Sequence, residues 1–312
     1  MSRTRMITLA VSLIVFAIVL SLQTPRETDF PKFVNIPEGT TLHEAGSILK
    51  QQRIIVSEFL FKAFAVVTGG AQGVKAGDYL FAKPPRLFVT SWRITHASFG
   101  IDPVRVLIPE GTAVHEMKDI FTEALPSFDA SLFETLAESR EGYLFPDTYF
   151  FLPNIAPKTV IEAMSQNFNE KIGTLQTAIE ASGRTVSDVV IMASILEEEA
   201  RSFEDKQIVA GILWKRLDND MALQVDAPFV YLLGKGSADL TLDDLKTDSP
   251  YNTYLYRGLT PTPISNPGLE SLRAAVEPIA SEHLFYLSDA DGVMHYAEDF
   301  EQHKRNKELY LR

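Results

Sequence analysis

The sequence contains no cysteine among its 312 residues. Disulfide bonds, thiolate metal ligands and a cysteine nucleophile are therefore excluded. Basic residues are scarce relative to acidic ones, with 29 Lys and Arg against 41 Asp and Glu and a formal net charge of −12. This excess of negative charge argues against binding to nucleic acid and against electrostatic adsorption to an anionic lipid surface. A neutral polar substrate such as a glycan is compatible with it.

One apolar run lies near the N-terminus, where residues 6–22 carry no charge. A run of this length is just sufficient to span the hydrocarbon core of a bilayer. Because Arg3 and Arg5 precede it, the positive-inside rule leaves residues 1–5 in the cytoplasm and the rest of the chain outside. A cleaved signal peptide is the alternative, but no small-residue cleavage site follows the run. We therefore predict an uncleaved single-pass transmembrane helix, joined by a polar tether at 23–32.

An internal repeat follows the tether. Residues 34–44 read VNIPEGTTLHE, and residues 106–116 read VLIPEGTAVHE. Each copy combines a β-rich run, a Pro-Glu-Gly turn, a threonine able to cap and the start of an amphipathic helix. We predict a duplicated strand-turn-helix module over 33–152, similar to LysM-type glycan-binding modules. Its predicted elements are helices at Leu42–Gln51, Ser57–Val67 and Val114–Glu123 and a strand at Gly77–Phe81.

Histidines occur at equivalent positions of the two copies, His43 and His115. The sequence supplies no further ligands near them at the spacing that a metal site requires. We therefore expect surface or capping roles for both, and we predict neither a metal nor a cofactor.

The remaining segment, 153–312, mixes helical patterns with short strands. Thr159–Ser182 predicts a long helix, and Thr185–Asp188 has the form of a capping box that starts the next one. A β-hairpin is predicted across Asp291-Gly292, followed by a charged helix. Since repeated βαβ units are lacking, the expected fold class is α+β. It comprises one N-terminal transmembrane helix, LysM-like small α/β modules and a mixed α+β domain.

Three consecutive glutamates, Glu197–Glu199, end the apolar helical run Val189–Leu196. A carboxyl group at the edge of a buried helix can hold its proton to higher pH than usual, as a general acid must. The ordinary alternative is a solvated helix end. Successive helical side chains point about 100° apart, so only one of the three can face a given cleft. Arg201, four residues after Glu197, could pair with it as a surface ion pair, which would favour its ionised form.

Five segments in a fixed order carry a family resemblance. They are Glu141–Tyr149 (EGYLFPDTY), Ala193–Glu197 (ASILE), Leu223–Asp226 (LQVD), Tyr251–Tyr254 (YNTY) and Pro261–Gly268 (PTPISNPG). Together they resemble the YceG-like family, the endolytic murein transglycosylases of MltG type. The resemblance runs from the membrane anchor to near the C-terminus. It implies a single-pass inner-membrane anchor, a LysM-like part and an extracytoplasmic catalytic domain, here 153–312.

The resemblance also implies roles for particular residues. The family's catalytic acid closes its Ala-Ser-Ile-x-Glu motif, which makes Glu197 the candidate here. Ala193 and Ser194 share a helical face with it and, being small, would let a sugar approach closely. Four residues are expected to bind substrate, because amides and hydroxyls suit the hydroxyl and N-acetyl groups of sugars: Gln224, Asp226, Tyr254 and Asn266. For each of them, the alternative is a local structural role in a turn or a helix cap.

Two departures from the family pattern concern the same segments. Glu198 stands where the family has a basic residue, and like-charge repulsion between neighbouring glutamates favours the protonated form. Val225 and Ala227 replace the hydroxyl residue and the proline of the family's Leu-Gln-Ser/Thr-Asp-Pro segment. The details of sugar contact should therefore differ.

The implied activity is lytic transglycosylation of nascent peptidoglycan. Cleavage between N-acetylmuramic acid and N-acetylglucosamine would leave 1,6-anhydro ends and limit strand length, with peptidoglycan synthases as partners. Two alternatives remain open. One is a non-catalytic glycan-binding scaffold with an inert Glu197, and the other is a hydrolase that uses water as nucleophile, with Asp226 as the candidate second carboxylate.

Overall fold

The computed structural model describes residues 29–68, 73–235 and 239–311. The predicted transmembrane helix at 6–22 lies outside these ranges, as does most of the tether. Within them, no helix is long and apolar enough to cross a membrane. The described chain is mixed α+β, as predicted, with twelve α-helices and three two-stranded antiparallel sheets. It divides into two compact units, Met1–Pro103 and Val104–Arg312.

The first unit contains the first copy of the repeat. In chain order its elements are β1 (Lys32–Ile36), α1 (Leu42–Gln51), α2 (Glu58–Thr68), β2 (Gly77–Phe81) and α3 (Leu87–Thr95). β1 pairs antiparallel with β2, and Val34, Ile36 and Tyr79 from these strands are buried in its core. Thr41 and Glu44 form the capping box that starts α1. The helix α3 was not predicted; it follows the Pro84-Pro85 pair and buries Leu87 and Ile94.

The second unit opens with the second copy. Its elements are β3 (Val104–Leu107), α4 (Val114–Ala124), α5 (Ala130–Ala137) and β4 (Thr148–Phe151), and β3 pairs antiparallel with β4. Both copies thus fold in the order strand, helix, helix, strand. The unit boundary falls inside the region grouped as 33–152 on sequence, because the second copy shares its core with the helix that follows it, through Val160 and Met164.

The rest of the second unit is mainly helical. Its elements are α6 (Pro157–Gly173), α7 (Gln176–Ser182), α8 (Val186–Glu199), α9 (Phe203–Asp218), α10 (Ala227–Leu233), α11 (Leu269–Val276), β5 (Phe285–Ser288), β6 (Met294–Ala297) and α12 (Phe300–Tyr310). The long helix predicted over 159–182 is two helices, since the chain leaves regular helix at Thr174–Leu175. The predicted hairpin is present as β5–β6.

Helix α8 lies at the centre of the second unit. Thr185 and Asp188 start it with the predicted capping box. Every residue from Val189 to Leu196 is buried, so the helix is surrounded by protein on all sides. Its last turn carries the three glutamates out of this core toward the start of α9. The core therefore fixes where each carboxyl group lies.

Candidate active site

Glu197 is a buried, ion-paired carboxylate. Its Oε1 lies 2.7 Å from Lys206 Nζ, and its Oε2 accepts a hydrogen bond of 2.8 Å from the backbone N–H of Gly268. The Glu197 and Lys206 side chains are only 8% and 5% exposed. Glu197 is therefore not part of a solvated helix end. The alternative of a surface ion pair with Arg201 is not found either, since the Arg201 side chain lies near Gly292.

The two partners of Glu197 come from the starts of two helices. Ser202 caps α9 by accepting from the Asp205 N–H, which places Lys206 in the first turn against the end of α8. Gly268 is the N-cap residue of α11, so its N–H belongs to the positive end of that helix. Both partners stabilise negative charge on the carboxyl group.

A turn of the second repeat copy completes this arrangement. The Gly111 N–H donates to the Asn266 carbonyl at 3.0 Å, which ties the turn to the loop before α11. The Glu110 carboxyl rests against Gly268, where a Cβ would overlap it. Desolvation raises the pKa of Glu110, and the negative charge of Glu197 raises it further. Two carboxyl groups, those of Glu197 and Glu110, thus lie beside the same glycine.

Glu198 points in a different direction and lines a cleft of about 250 Å³. The cleft also includes Gly111, Tyr231 and Ser265. Desolvation, and then the charge of Glu197, raises the pKa of Glu198. Glu198 therefore retains its proton more readily than an exposed glutamate does.

Glu199 lines a second cleft, of about 410 Å³. Its Oε2 accepts a hydrogen bond of 2.9 Å from the Tyr286 hydroxyl, and desolvation raises its pKa to about 7. The three glutamates therefore have three different surroundings, as their helical spacing predicted.

Three of the four predicted substrate-binding residues line this second cleft with Glu199. The Tyr254 hydroxyl donates to Asp226 Oδ1 at 2.7 Å, and Arg216 donates to Gln224 Oε1 at 2.5 Å. Among the residues that the structure describes, the Nε of buried Arg216 finds no hydrogen-bond partner. The structure thus brings Gln224, Asp226 and Tyr254 together, but beside Glu199 rather than in contact with Glu197.

Asn266, the fourth predicted residue, is fully buried and bonded to the protein. Its Oδ1 accepts from the Leu144 N–H at 2.9 Å, and its Nδ2 donates to the Thr112 carbonyl and to Glu141 Oε1 at 3.0 and 2.7 Å. Asn266 belongs to the loop before α11, so its side chain holds this loop against the turn that contains Glu110 and Thr112.

Glu141 is a buried carboxyl group, and its only distinguishing feature in the sequence is its place in the EGYLFPDTY segment. It accepts the Val114 N–H at the start of α4 at 3.1 Å. Desolvation raises the pKa of Glu141 to about 7, against the lowering effect of its hydrogen bonds.

The small residues of α8 do not leave room for a sugar. Ser194 Oγ accepts the Ile264 N–H at 3.1 Å, and the Ser194 carbonyl accepts from Ser265 Oγ at 3.3 Å. Ala193 and Ser194 are completely buried. The expectation of close sugar approach there was wrong, because the chain's own loop fills that face.

Sequence reasoning missed Lys206 and Glu110. A signal for Lys206 existed, since it falls on the helical face of Val209 and Ala210, where a lysine must be paired. For Glu110 the sequence suggests only a turn residue, and its twin Glu38 is indistinguishable by pattern. Only the tertiary structure separates the two.

Comparison with known proteins supports the family resemblance. The sequence model of the YceG-like family matches residues 34–309. A Bacillus subtilis (strain 168) protein named endolytic murein transglycosylase is 30% identical over 320 residues, covering 93% of this chain and 88% of the relative. A Streptococcus pneumoniae protein (serotype 2, strain D39) of the same name is 26% identical over 335 residues, covering 92% of this chain and 60% of that longer protein.

A solved structure is also similar. The crystal structure of a putative yceG-like protein from Listeria monocytogenes superposes with a TM-score of 0.59 and 26% sequence identity. The match covers 89% of this chain and 99% of that one. On the family match across nearly the whole chain, this protein belongs to the YceG-like family.

Proposed function

We propose that this protein is an endolytic murein transglycosylase whose catalytic carboxylate is Glu197. It cleaves glycan strands of peptidoglycan between N-acetylmuramic acid and N-acetylglucosamine and leaves 1,6-anhydro ends. The relatives that carry this name match along most of the chain. The observation that carries the assignment of the residue is the placement of Glu197, held by Lys206 and Gly268 at the end of α8.

The reaction requires a proton donor and a proton acceptor near one bond. The glycosidic oxygen takes a proton as its bond to C1 breaks, and the 6-hydroxyl of the muramic acid attacks C1 and loses a proton. Because this nucleophile belongs to the substrate, its entropic cost is largely prepaid. Glu197 acts in this proton transfer, and a single carboxyl group can serve as acid and then base.

The 410 Å³ cleft binds the glycan. Tyr254, Asp226 and Gln224 present a hydroxyl, a carboxylate and an amide along its wall, and Phe285 and Phe300 add aromatic faces on which sugar rings stack. Its volume lies within the usual range of small-ligand pockets. A glycan strand crossing this cleft passes the end of α8, where the three glutamates diverge.

The setting of the enzyme follows from the sequence. The apolar run at 6–22 anchors the chain in the cytoplasmic membrane, and the described units lie on the extracytoplasmic side. The strand–helix–helix–strand copies are LysM-like and hold glycan. An enzyme placed there limits the length of nascent strands beside the peptidoglycan synthases, and it uses no cofactor.

Product analysis tests the reaction class. Full-length protein in detergent is incubated with purified cell-wall glycan in ¹⁸O-labelled water, and the fragments are analysed by mass spectrometry. We expect anhydro-ended fragments without solvent oxygen. Reducing ends labelled with ¹⁸O would show hydrolysis instead.

The scaffold alternative makes a different prediction. If the protein is a scaffold, wild type and Glu197→Gln should bind glycan equally, and neither should give cleavage products. Cleavage by wild type alone, with glycan retained by both proteins in a sedimentation assay, supports the enzyme and excludes the scaffold.

A further inference from the structure

The first unit exposes large apolar side chains on helix α2. Phe59 is 77% exposed, Val66 66% and Val67 80%. Because a helix turns about 100° per residue, Phe59 and Val66 lie on the same side of α2, away from the buried Phe61 and Ala65. The outward side of a surface helix ordinarily carries polar residues. Helix α2 is therefore apolar on its buried side and on much of its exposed side.

Helix α3 extends this apolar surface with Phe88, Val89 and Trp92, which are all more than 40% exposed. The rings of Phe64 and Phe88 meet edge to face between the two helices, with 6.1 Å between their centroids. Since Phe64 lies one helical turn before Val67, its ring joins the exposed side of α2 to that of α3. Contiguous exposed apolar surface marks an interaction site, whereas single exposed apolar residues do not. The α2–α3 apolar face comprises Phe59, Val66, Val67, Phe88, Val89 and Trp92.

The charges around this face are mainly basic. Apart from Glu58 at the start of α2, neither helix contains an acidic residue, and the exposed Lys83 and Arg86 precede α3. Residues 23–103 contain 9 Lys and Arg against 7 Asp and Glu, whereas 104–312 contain 18 against 34. The net charge of −12, which argues against adsorption of the chain to anionic lipid, therefore comes from the second unit.

The sequence also places the first unit close to a bilayer. The tether at 23–32 joins β1 to the apolar run predicted to span the membrane. Its ten residues can extend over at most about 35 Å. This distance is comparable to the diameter of a unit of about 75 residues. The bilayer is thus within reach of any face of the first unit.

We propose that the α2–α3 apolar face is a membrane-docking surface, which inserts among the lipids of the extracytoplasmic leaflet with Lys83 and Arg86 against anionic headgroups. This inference rests on the membrane anchor of the proposed function. Surfaces that lie in the bilayer interface combine large apolar side chains with flanking cations. Trp92 suits the same position, because an indole has an apolar body and one polar N–H.

The chemistry of the face favours lipid over two other occupants. None of its six side chains contains an oxygen atom, whereas a sugar site needs hydrogen-bonding groups beside its aromatic rings. A symmetric dimer buries the same surface of both copies. It would therefore bring Lys83 and Arg86 near their own counterparts, which is unfavourable, while anionic headgroups attract them.

The test measures whether Trp92 enters the bilayer. Full-length protein is reconstituted into vesicles of phosphatidylglycerol and phosphatidylethanolamine, and tryptophan emission is compared between ordinary vesicles and vesicles with brominated acyl chains. Bromine in the acyl chains quenches a tryptophan that enters the bilayer. The chain has only two tryptophans, and Trp214 is 6% exposed in the second unit, so Trp92→Phe identifies the signal of Trp92.

We expect bromine to quench wild-type emission but not that of Trp92→Phe. Replacing Phe59 and Val67 together by serine should lower the quenching at least about twofold, because two inserted side chains are lost. Leu242→Ser is the matched control, since Leu242 is 79% exposed in the second unit, and it should behave as wild type. Replacing phosphatidylglycerol by phosphatidylcholine should weaken the quenching.

Equal wild-type emission with and without bromine would overturn the inference, and so would undiminished quenching in the double serine variant. If circular dichroism shows that this variant is unfolded, the same comparison is made with Val67→Ser. A dimer in detergent that the serine variant lacks, without quenching of wild type, would assign the face to a second copy. A blue shift of Trp92 emission on adding glycan in detergent, again without quenching, would assign it to glycan.

Failure of the anchor is distinguishable from failure of docking. Wild type that does not float with the vesicles would refute the anchor of the proposed function and this inference with it. Wild type that floats without quenching would refute the docking surface alone.

Discussion

The buried pair of Glu197 and Lys206 makes a prediction about stability that does not depend on the substrate. Lys206→Met removes the ammonium but keeps a side chain of similar volume. The Glu197 carboxylate then remains buried with only the Gly268 N–H as partner. Both side chains are less than a tenth exposed and 2.7 Å apart, so solvent screening is slight. Breaking such a pair costs about 3–5 kcal/mol.

The assay is equilibrium unfolding in guanidinium, followed by circular dichroism. Lys246→Met is the matched control, because Lys246 lies 2.8 Å from Asp243 but both side chains are mostly exposed, 74% and 90%. That pair should contribute at most about 0.5 kcal/mol. Adding Glu197→Gln to Lys206→Met should recover more than about 1 kcal/mol of the loss, because the buried charge is then gone.

The reasoning is refuted if Lys206→Met costs no more than Lys246→Met. The reasoning is also refuted if the destabilisation of the double variant equals the sum of those measured for Lys206→Met and Glu197→Gln alone. Either outcome would mean that Glu197 is not held as a buried carboxylate by Lys206.

Three other predictions concern the surroundings of the site. Burial raises the pKa of Glu141 from 4.5 to about 7, so its contribution to stability is present at low pH and is lost as pH rises through this window. The shift corresponds to roughly 3 kcal/mol. Glu141→Gln should therefore flatten the fall in Tm between about pH 5 and pH 8. An unchanged fall would contradict this. Gly268→Ala should lower kcat by about 100-fold, since its Cβ would overlap the Glu110 carboxyl and shift the N–H that binds Glu197; near-normal turnover would count against that contact. Tyr254→Phe removes the hydroxyl bonded to Asp226, so KM for glycan should rise about fivefold; an unaltered KM would remove this pair from the binding cleft.

Local patterns predicted the local structure well. The helix at Leu42–Gln51 and the strand at Gly77–Phe81 have the predicted bounds, and the box that starts α8 uses the expected Thr185 and Asp188. Each depends on residues within one or two turns of each other. Helix α10 was not predicted; it begins at Ala227, directly after the four non-helical residues Leu223–Asp226.

The site itself depended on long-range contacts that no local pattern contains. The family motif pointed to Glu197, but its partners Lys206 and Gly268 meet it only because α8, α9 and α11 pack together. Glu110 and Glu38 belong to nearly identical segments, and only the tertiary structure shows that the turn of the second copy, at Gly111, lies against α8. A sequence motif can identify a candidate carboxyl group. Whether that group is ionised or protonated depends on the groups that the fold places beside it.

The central claim is that Glu197 is the catalytic carboxylate, and substitution of its cluster tests this most directly. Full-length wild type, Glu197→Gln, Glu198→Gln and Glu199→Gln are each incubated with purified cell-wall glycan, and anhydro-ended fragments are counted by mass spectrometry. Glu197→Gln should lose at least about 100-fold in rate while remaining folded and bound to glycan, and Glu198→Gln should retain most of its activity. Undiminished cleavage by Glu197→Gln, or a loss confined to Glu199→Gln, would contradict the account.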